Sequence, residues 1–210
     1  MAKRNTKQII LDKALELFST KGYDGVTVAD IADAVGIKAA SLYKHYESKQ
    51  DIFDSILKRA ADNFRQHTEQ LGIDGHDYKN DVQKYEDMSL DTLINIGTSL
   101  FLYALHDEAG VMLRRLFTIE QYRNAEVSKL FTEQYINAPL AYQTALFKTF
   151  TERGIMKIYD ADIAAAHFYS PIYLMLCLCD NCSEREQEAL DLIRRHITQF
   201  NKLYMIGEEA

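Results

Sequence analysis

Tryptophan is absent from these 210 residues, proline occurs only twice and glycine nine times. So few breakers leave little material for the frequent tight turns of a many-stranded β-fold, and an all-helical chain is expected. Three cysteines, an odd number, make no disulfide framework and suit a reducing compartment. No secretory signal pattern opens the chain, because MAKRNTKQ runs straight into an amphipathic helix. The longest apolar run, residues 163–179, contains His167, Ser170 and Pro171 and falls short of the roughly 20 residues that cross a bilayer, so no membrane partner is expected. A cytoplasmic protein is the expectation. Catalytic signatures are also missing. There is no Gly-rich phosphate loop, no H-E-x-x-H and no G-x-S-x-G, and six histidines are scattered. The expectation is a protein that is not an enzyme and uses no cofactor.

What is present is a globular balance, 47% hydrophobic against 26% charged, which argues against disorder. The net charge of −7 looks wrong for a nucleic-acid binder until it is divided along the chain. Residues 1–60 hold ten Lys and Arg against eight Asp and Glu, about +2, which leaves about −9 for the remainder. An acidic body repels DNA, so only the N-terminal module is suited to dock on it.

The first helical pattern runs from Thr6 to Thr20, with Ile10, Ala14, Leu17 and Phe18 on one stripe and Gly22 ending it. Thr27 opens a second helix with Asp30 at the capping-box position, and Gly36 supplies a turn that needs positive φ. A short third helix spans Lys38 to Tyr46, and Ser48 with Asp51 caps a fourth. Residues 72–87 lose periodicity and read as a polar loop. Helical patterns follow at 90–106, 111–122, 125–153, 162–179 and 184–205, with kinks or breaks expected at Pro139 and Pro171. Neither a strand nor an internal repeat is apparent.

Thr27 to Lys49 carries the chemistry. Two helices joined by a tight turn can place the second in the major groove and the first across the backbone. The helix start at Thr27 suits a phosphate. Ala39 and Ala40 are small enough to let the following helix reach base edges and thymine methyls, and Lys38 and Ser41 can donate there. Tyr43, Lys44, His45 and Lys49 are placed to grip phosphates, and Lys3, Arg4 and Lys7 form a basic arm. Taken singly, each has a plainer reading: Tyr43 as a half-buried aromatic, His45 as a solvated surface residue. The combination favours DNA.

Residues 9–52 resemble the N-terminal domain of the TetR family of transcriptional regulators, whose pattern is an apolar helix ending LF…GY, then T…IA…G(V/I)…LY.(H/Y)(F/Y).SK. Leu17, Phe18, Gly22, Tyr23, Thr27, Ile31, Ala32, Gly36, Ile37, Leu42, Tyr43, His45, Tyr46, Ser48 and Lys49 occupy those places. Lys38 departs from it, standing where the family more often has a capping Ser or Thr. The resemblance implies a DNA-binding head at 1–47, a helical ligand-binding and dimerising body at 48–210, and a homodimeric repressor that releases operator DNA when a small molecule binds the body. The fourth helix, which joins the two parts, is the natural lever.

In the body, Leu190, Ile193, Ile197, Phe200 and Tyr204 step by three and four, a seam suited to a dimer interface or to packing within one subunit. The preceding helix is apolar nearly all round and is expected to be buried on several sides, and the two helices together resemble the pair that forms a four-helix bundle across the family's dimer interface. Thirteen tyrosines and ten phenylalanines suit an aromatic or amphipathic effector, although an aromatic stripe is more often plain core. Phe101, Phe117, Tyr142 and Phe168 are the candidate lining, with His106, Arg114 and His167 as polar anchors. Cys177, Cys179 and Cys182 do not converge on one point, so no metal is assigned. A helical carrier or enzyme is the contrasting reading, and a regulator answering to a protein partner is a third.

Overall fold

A computed structural model describes residues 5–206; Lys3 and Arg4 of the expected basic arm lie outside them. The described residues form helices joined by short turns, plus one antiparallel bridge between Met156 and Met205. They group into two compact units. The first comprises the chain up to Phe64 together with Asp107–Phe131. The second comprises Arg65–His106 together with the chain from Thr132 onward. The first unit therefore extends beyond the expected head at 1–47.

The first unit contains α1 (Thr6–Lys21), α2 (Val28–Val35), α3 (Ala39–Leu42), the start of α4 (Lys49–Gln70), α7 (Glu108–Glu120) and most of α8 (Ala125–Thr132). Ile10, Leu11, Ala14, Leu15 and Phe18 bury the inner face of α1, while Leu17 is only half-buried. Phe53 makes edge contacts with Phe18 at 6.1 Å and Phe117 at 6.4 Å, so α1, α4 and α7 share one aromatic core. Each fully buried side chain of this size contributes roughly 1.5–3 kcal/mol.

The second unit contains the end of α4, α5 (Tyr78–Glu86), α6 (Leu90–His106), α9 (Ala138–Glu152), α10 (Ala161–Asn181) and α11 (Glu186–Tyr204). The expected polar loop at 72–87 is corrected here. It folds into α5, whose N-cap Asp77 accepts from the Lys79 N–H. Asp81 on α5 is fully buried, and its carboxylate accepts from the N–H groups of Asp74 (2.6 Å) and Gly75 (2.8 Å) and from the Tyr142 hydroxyl (2.7 Å). Asp74 caps the preceding turn. Hydrogen bonds from the Asp77 N–H and the Asn80 amide hold its carboxyl down at about 2. The segment is stapled by polar bonds, which hydrophobic periodicity does not register.

At Pro139 the helix yields as expected. A π-helical turn, Glu133–Asn137, precedes α9, with Pro139 in its first turn. Proline offers no N–H to the carbonyl four residues back, that of Tyr135. The Tyr169 hydroxyl donates to that carbonyl at 2.9 Å. At Pro171 no break occurs, and α10 runs through it.

Two further expectations concern the C-terminal helices. Leu190, Ile193, Ile197 and Phe200 are buried within one subunit. Ile193 and Ile197 pack with Phe101, Met175 and Ala189, and Phe200 stacks on Phe147 at 5.2 Å. The 3–4 stepping is thus the seam of α11 against its own α6 and α10. It is close because Gly97 has no Cβ, which would collide with the tip of Ile197. Tyr204 is half-buried at the end of the same seam. The second expectation concerns α10. At 21 residues it has the length and apolarity of a membrane span. It buries one face (Ala164, Ala165, Met175, Leu176, Cys179), while Ile163 and Leu174 stay 67% and 63% exposed.

Candidate DNA interface and effector residues

The start of α2 is fixed by a complete capping box. Asp30 N–H donates to the Thr27 hydroxyl at 3.1 Å, while Thr27 N–H and hydroxyl donate to the Asp30 carboxylate at 2.7 and 2.6 Å. Those bonds hold the Asp30 carboxyl below the usual range. Both donors of Thr27 are therefore engaged, and Val28 and Ala29 supply the next N–H groups of the first turn. Gly36 ends α2 with φ 77° and ψ 35°, and its N–H bonds back to Asp33. A side chain there is disfavoured by the left-handed backbone alone, because an added Cβ meets nothing within 4 Å.

The short α3 is anchored by one residue. Leu42 is fully buried, and Tyr46 just beyond is buried with its hydroxyl donating to Lys7 O at 3.3 Å. Around that anchor Lys38, Ala39, Ala40, Tyr43 and Lys44 are exposed, and Ser41 and His45 are partly so. Tyr43 is 55% exposed, too much for a core aromatic. Lys38 is the N-cap residue of α3 and makes no side-chain cap bond. The structure thus brings Lys38, Ala39, Ala40, Ser41, Tyr43, Lys44 and His45 onto one short, mostly solvent-facing segment.

Lys49 is placed differently. Its ammonium donates to Tyr23 O at 2.9 Å and Val26 O at 3.0 Å and lies 4.2 Å from the centroid of the Tyr23 ring. Tyr23 packs on Phe18 and Phe53 and donates its hydroxyl to Gln50 at 2.8 Å. Sequence gives Tyr23 only its place in the family pattern, with no role, and does not mark Gln50. Their partnership spans 27 positions, and no local spacing signals it.

The seven candidate effector residues are divided between the two units. Arg114 and Phe117 are buried in the first unit. Phe101 is core beside Ile193. His106 is exposed and pairs with Glu186 at 3.1 Å. Tyr142 is engaged by Asp81. Burial raises its hydroxyl pKa, so it stays protonated and donating. Phe168 and His167 lie nearer to one another. Phe168 packs edge-on against Phe147 and Phe200, while His167 is exposed, with its Nδ1 3.1 Å from the Tyr204 hydroxyl. An open groove of about 670 Å³ lies elsewhere in this unit, lined in part by Tyr78, Leu140, Thr144, Lys148 and Asp162. None of the seven lines it. Among the described residues no group of three His, Cys, Asp or Glu is placed to hold a metal, and Cys177, Cys179 and Cys182 are thiols.

Capped helices, a positive-φ turn and an exposed third helix define a helix-turn-helix protein with a second, helical unit. Sequence comparison agrees. Residues 10–56 match the family described as bacterial regulatory proteins, tetR family, and residues 91–205 match the AefR-like transcriptional repressor C-terminal domain. The chain belongs to the TetR family and is a DNA-binding transcriptional regulator. It is similar to the biofilm operon icaADBC negative transcriptional regulator IcaR of Staphylococcus epidermidis, 43% identical over 74 residues, which are 33% of this chain and 40% of that protein. The Staphylococcus aureus (strain Newman) IcaR is 52% identical over 56 residues, 27% of this chain and 30% of that protein. The chain thus matches well under half the length of these curated relatives. The crystal structure of a TetR-family regulator from Mesorhizobium loti shares the fold across 98% of this chain and all of that one, with TM-score 0.69 at 20% identity.

Proposed function

We propose that the protein is a homodimeric repressor that releases its operator when a small aromatic or amphipathic molecule binds the second unit. The observation that carries the DNA half is the exposed ridge of α3, held by the buried Leu42 beneath it. Ala39, Ala40 and Ser41 are proposed to face base edges, with Lys38 beside them. Tyr43, Lys44 and His45 take phosphates, as do the Val28 and Ala29 N–H groups at the start of α2, which Thr27 organises. In this reading 1–47 is the DNA-reading head and 48–210 the dimerising, effector-binding body. Repression is supported by the negative regulators that the head resembles. Cytoplasm is the proposed location, since the target is operator DNA.

Dimerisation is assigned to the outer face of α10, with Ile163, Ser170 and Leu174, and to Leu203 of α11, 57% exposed. The effector half rests on the aromatic cluster of Phe147, Phe168 and Phe200 and on the open groove beside α9. Couplings of this kind between effector and DNA are typically about 1–3 kcal/mol.

The test is selection of duplexes from a random-sequence pool by the full-length protein, followed by anisotropy titration on the selected site. Tight binding to a two-fold symmetric sequence, weakening steeply with salt, is the expected result. Recovery of no enriched sequence would overturn the reading. A thermal-shift screen of aromatic compounds should yield ligands that raise the melting temperature and lower DNA affinity together.

A further inference from the structure

The ammonium of Lys49 faces inward, and from that we infer that Lys49 is a positioning residue. It fixes the loop that delivers α2 to DNA and does not itself hold a phosphate. This inference rests on the DNA-binding reading above.

Lysine has three N–H donors and no acceptor. Two of the three on Lys49 go to the carbonyls of Tyr23 and Val26, at 2.9 and 3.0 Å. The face of Tyr23, 4.2 Å away at its centroid, supplies the negative side of the ring quadrupole to the same cation. The ring is itself immobilised, packed 5.2 Å from Phe18 and 5.1 Å from Phe53. Its hydroxyl donates to Gln50, whose amide donates to Asp54 at 2.8 Å. Consecutive residues at the start of α4 therefore hold both ends of Tyr23.

What they hold is the entry to the helix-turn-helix. Val26 N–H also bonds Tyr23 O, at 3.4 Å, so that carbonyl accepts from both the loop and the lysine. The next residue after Val26 is Thr27, the N-cap of α2. Moving the Val26 carbonyl moves the first turn of α2 and, through Gly36, the seat of α3. The polar and aromatic contacts of Lys49 form a clamp between α4 and that loop.

A phosphate ligand and a clamp differ in one measurable quantity. Removing a phosphate contact lowers the slope of log affinity against log salt by about 0.9, because one fewer counterion is released. Removing a clamp lowers affinity at every salt concentration and leaves the slope alone. The experiment uses full-length protein and the duplex it selects from the random pool, titrated across a salt series. Lys49→Met should weaken binding about tenfold with an unchanged slope. Lys44→Met, the comparison, should lower the slope by about 1.8, one contact from each subunit of the dimer. Lys49→Arg, which keeps donors and stacks on an aromatic face, should restore affinity to within about threefold. Hydrogen exchange should quicken in Lys49→Met at residues 26–29 and not in α6 or α11.

Three results would overturn the inference: a slope reduced by about 1.8 in Lys49→Met, one contact per subunit, unchanged affinity, or exchange quickened uniformly through both units. If Lys49→Met does not fold, Tyr23→Leu takes its place. It removes the ring and leaves both carbonyls, so it should lose affinity at constant slope, and full affinity there also overturns the clamp. Failure of the wild-type protein to select any duplex would instead overturn the DNA reading itself.

Discussion

Asp81 illustrates how much a single side chain can organise. A carboxylate with no solvent exposure is costly unless its oxygens are satisfied, and here two backbone N–H groups, the Tyr142 hydroxyl and, at 3.4 Å, Lys84 satisfy them. Burial also pushes the neighbouring Tyr85 hydroxyl up to about 12, so it stays neutral alongside. Tyr142→Phe removes one charge-assisted bond without opening a cavity. It should destabilise the protein by about 1.5–3 kcal/mol, read as a lower urea midpoint at unchanged m-value. A change below about 0.5 kcal/mol would mean that the remaining donors suffice. This residue also marks a limit of sequence reading. Tyr78, Val82 and Tyr85 do fall on one helical stripe, but the Asp, Asn and Lys residues between them resemble a loop. Their role as caps and as an internal anchor depends on Tyr142, 61 positions away. The capping box at Thr27, by contrast, was legible because all its atoms belong to four consecutive residues.

Among the α-helices of the described residues α3 is the shortest, with Ala39 and Ala40 exposed, so its ends matter. Lys38 gives it no side-chain cap. Lys38→Ser should supply one, worth about 0.5–1 kcal/mol to the head, and should raise the melting temperature. It also removes a cation from the ridge, so the preferred sequence in a repeat selection should shift at the adjacent base pairs. An unaltered preference would place Lys38 away from the bases.

The α10–α11 pair carries a second prediction, in pH. His196 Nε2 donates to Phe168 O at 2.8 Å. Burial lowers its pKa below the ordinary 6.5, with the nearby His167 on α10 adding to the effect. A histidine kept neutral by the fold contributes stability that is complete above that unfolded value and is lost as pH falls through the folded one. The melting temperature should therefore drop more steeply below about pH 6.5 in the wild type than in His196→Asn. Identical pH profiles would refute this. The stepping of Leu190 to Tyr204 was legible as a seam, yet its partner was not. Periodicity reports that a face is covered and is silent about whether the cover comes from the same chain.

At the scale of the whole molecule that distinction becomes a test of assembly. The chain passes between the two compact units within α4, between α6 and α7, and within α8. The effector signal proposed for the second unit thus has covalent routes into the first at each of these points. A repressor reading a symmetric operator needs two heads set about one DNA turn apart, roughly 34–36 Å, which one chain cannot provide. If α10 supplies the dimer face through Ile163 and Leu174, Leu174→Arg places a charge in that interface while leaving the subunit core untouched. It should yield folded monomers by light scattering, with a melting temperature that no longer rises with protein concentration. Its affinity for a two-fold site should fall toward its affinity for a half-site. Ile193→Ala, on the inward seam, should do the reverse. It should cost about 2–5 kcal/mol of stability through the cavity it leaves, while the species that still folds remains dimeric. A dimeric Leu174→Arg protein with full operator affinity would move the interface away from α10. Exchanged outcomes for the two variants would return the dimer seam to the inner face of α11. The pair of substitutions thus separates the surface that builds one subunit from the surface that joins two.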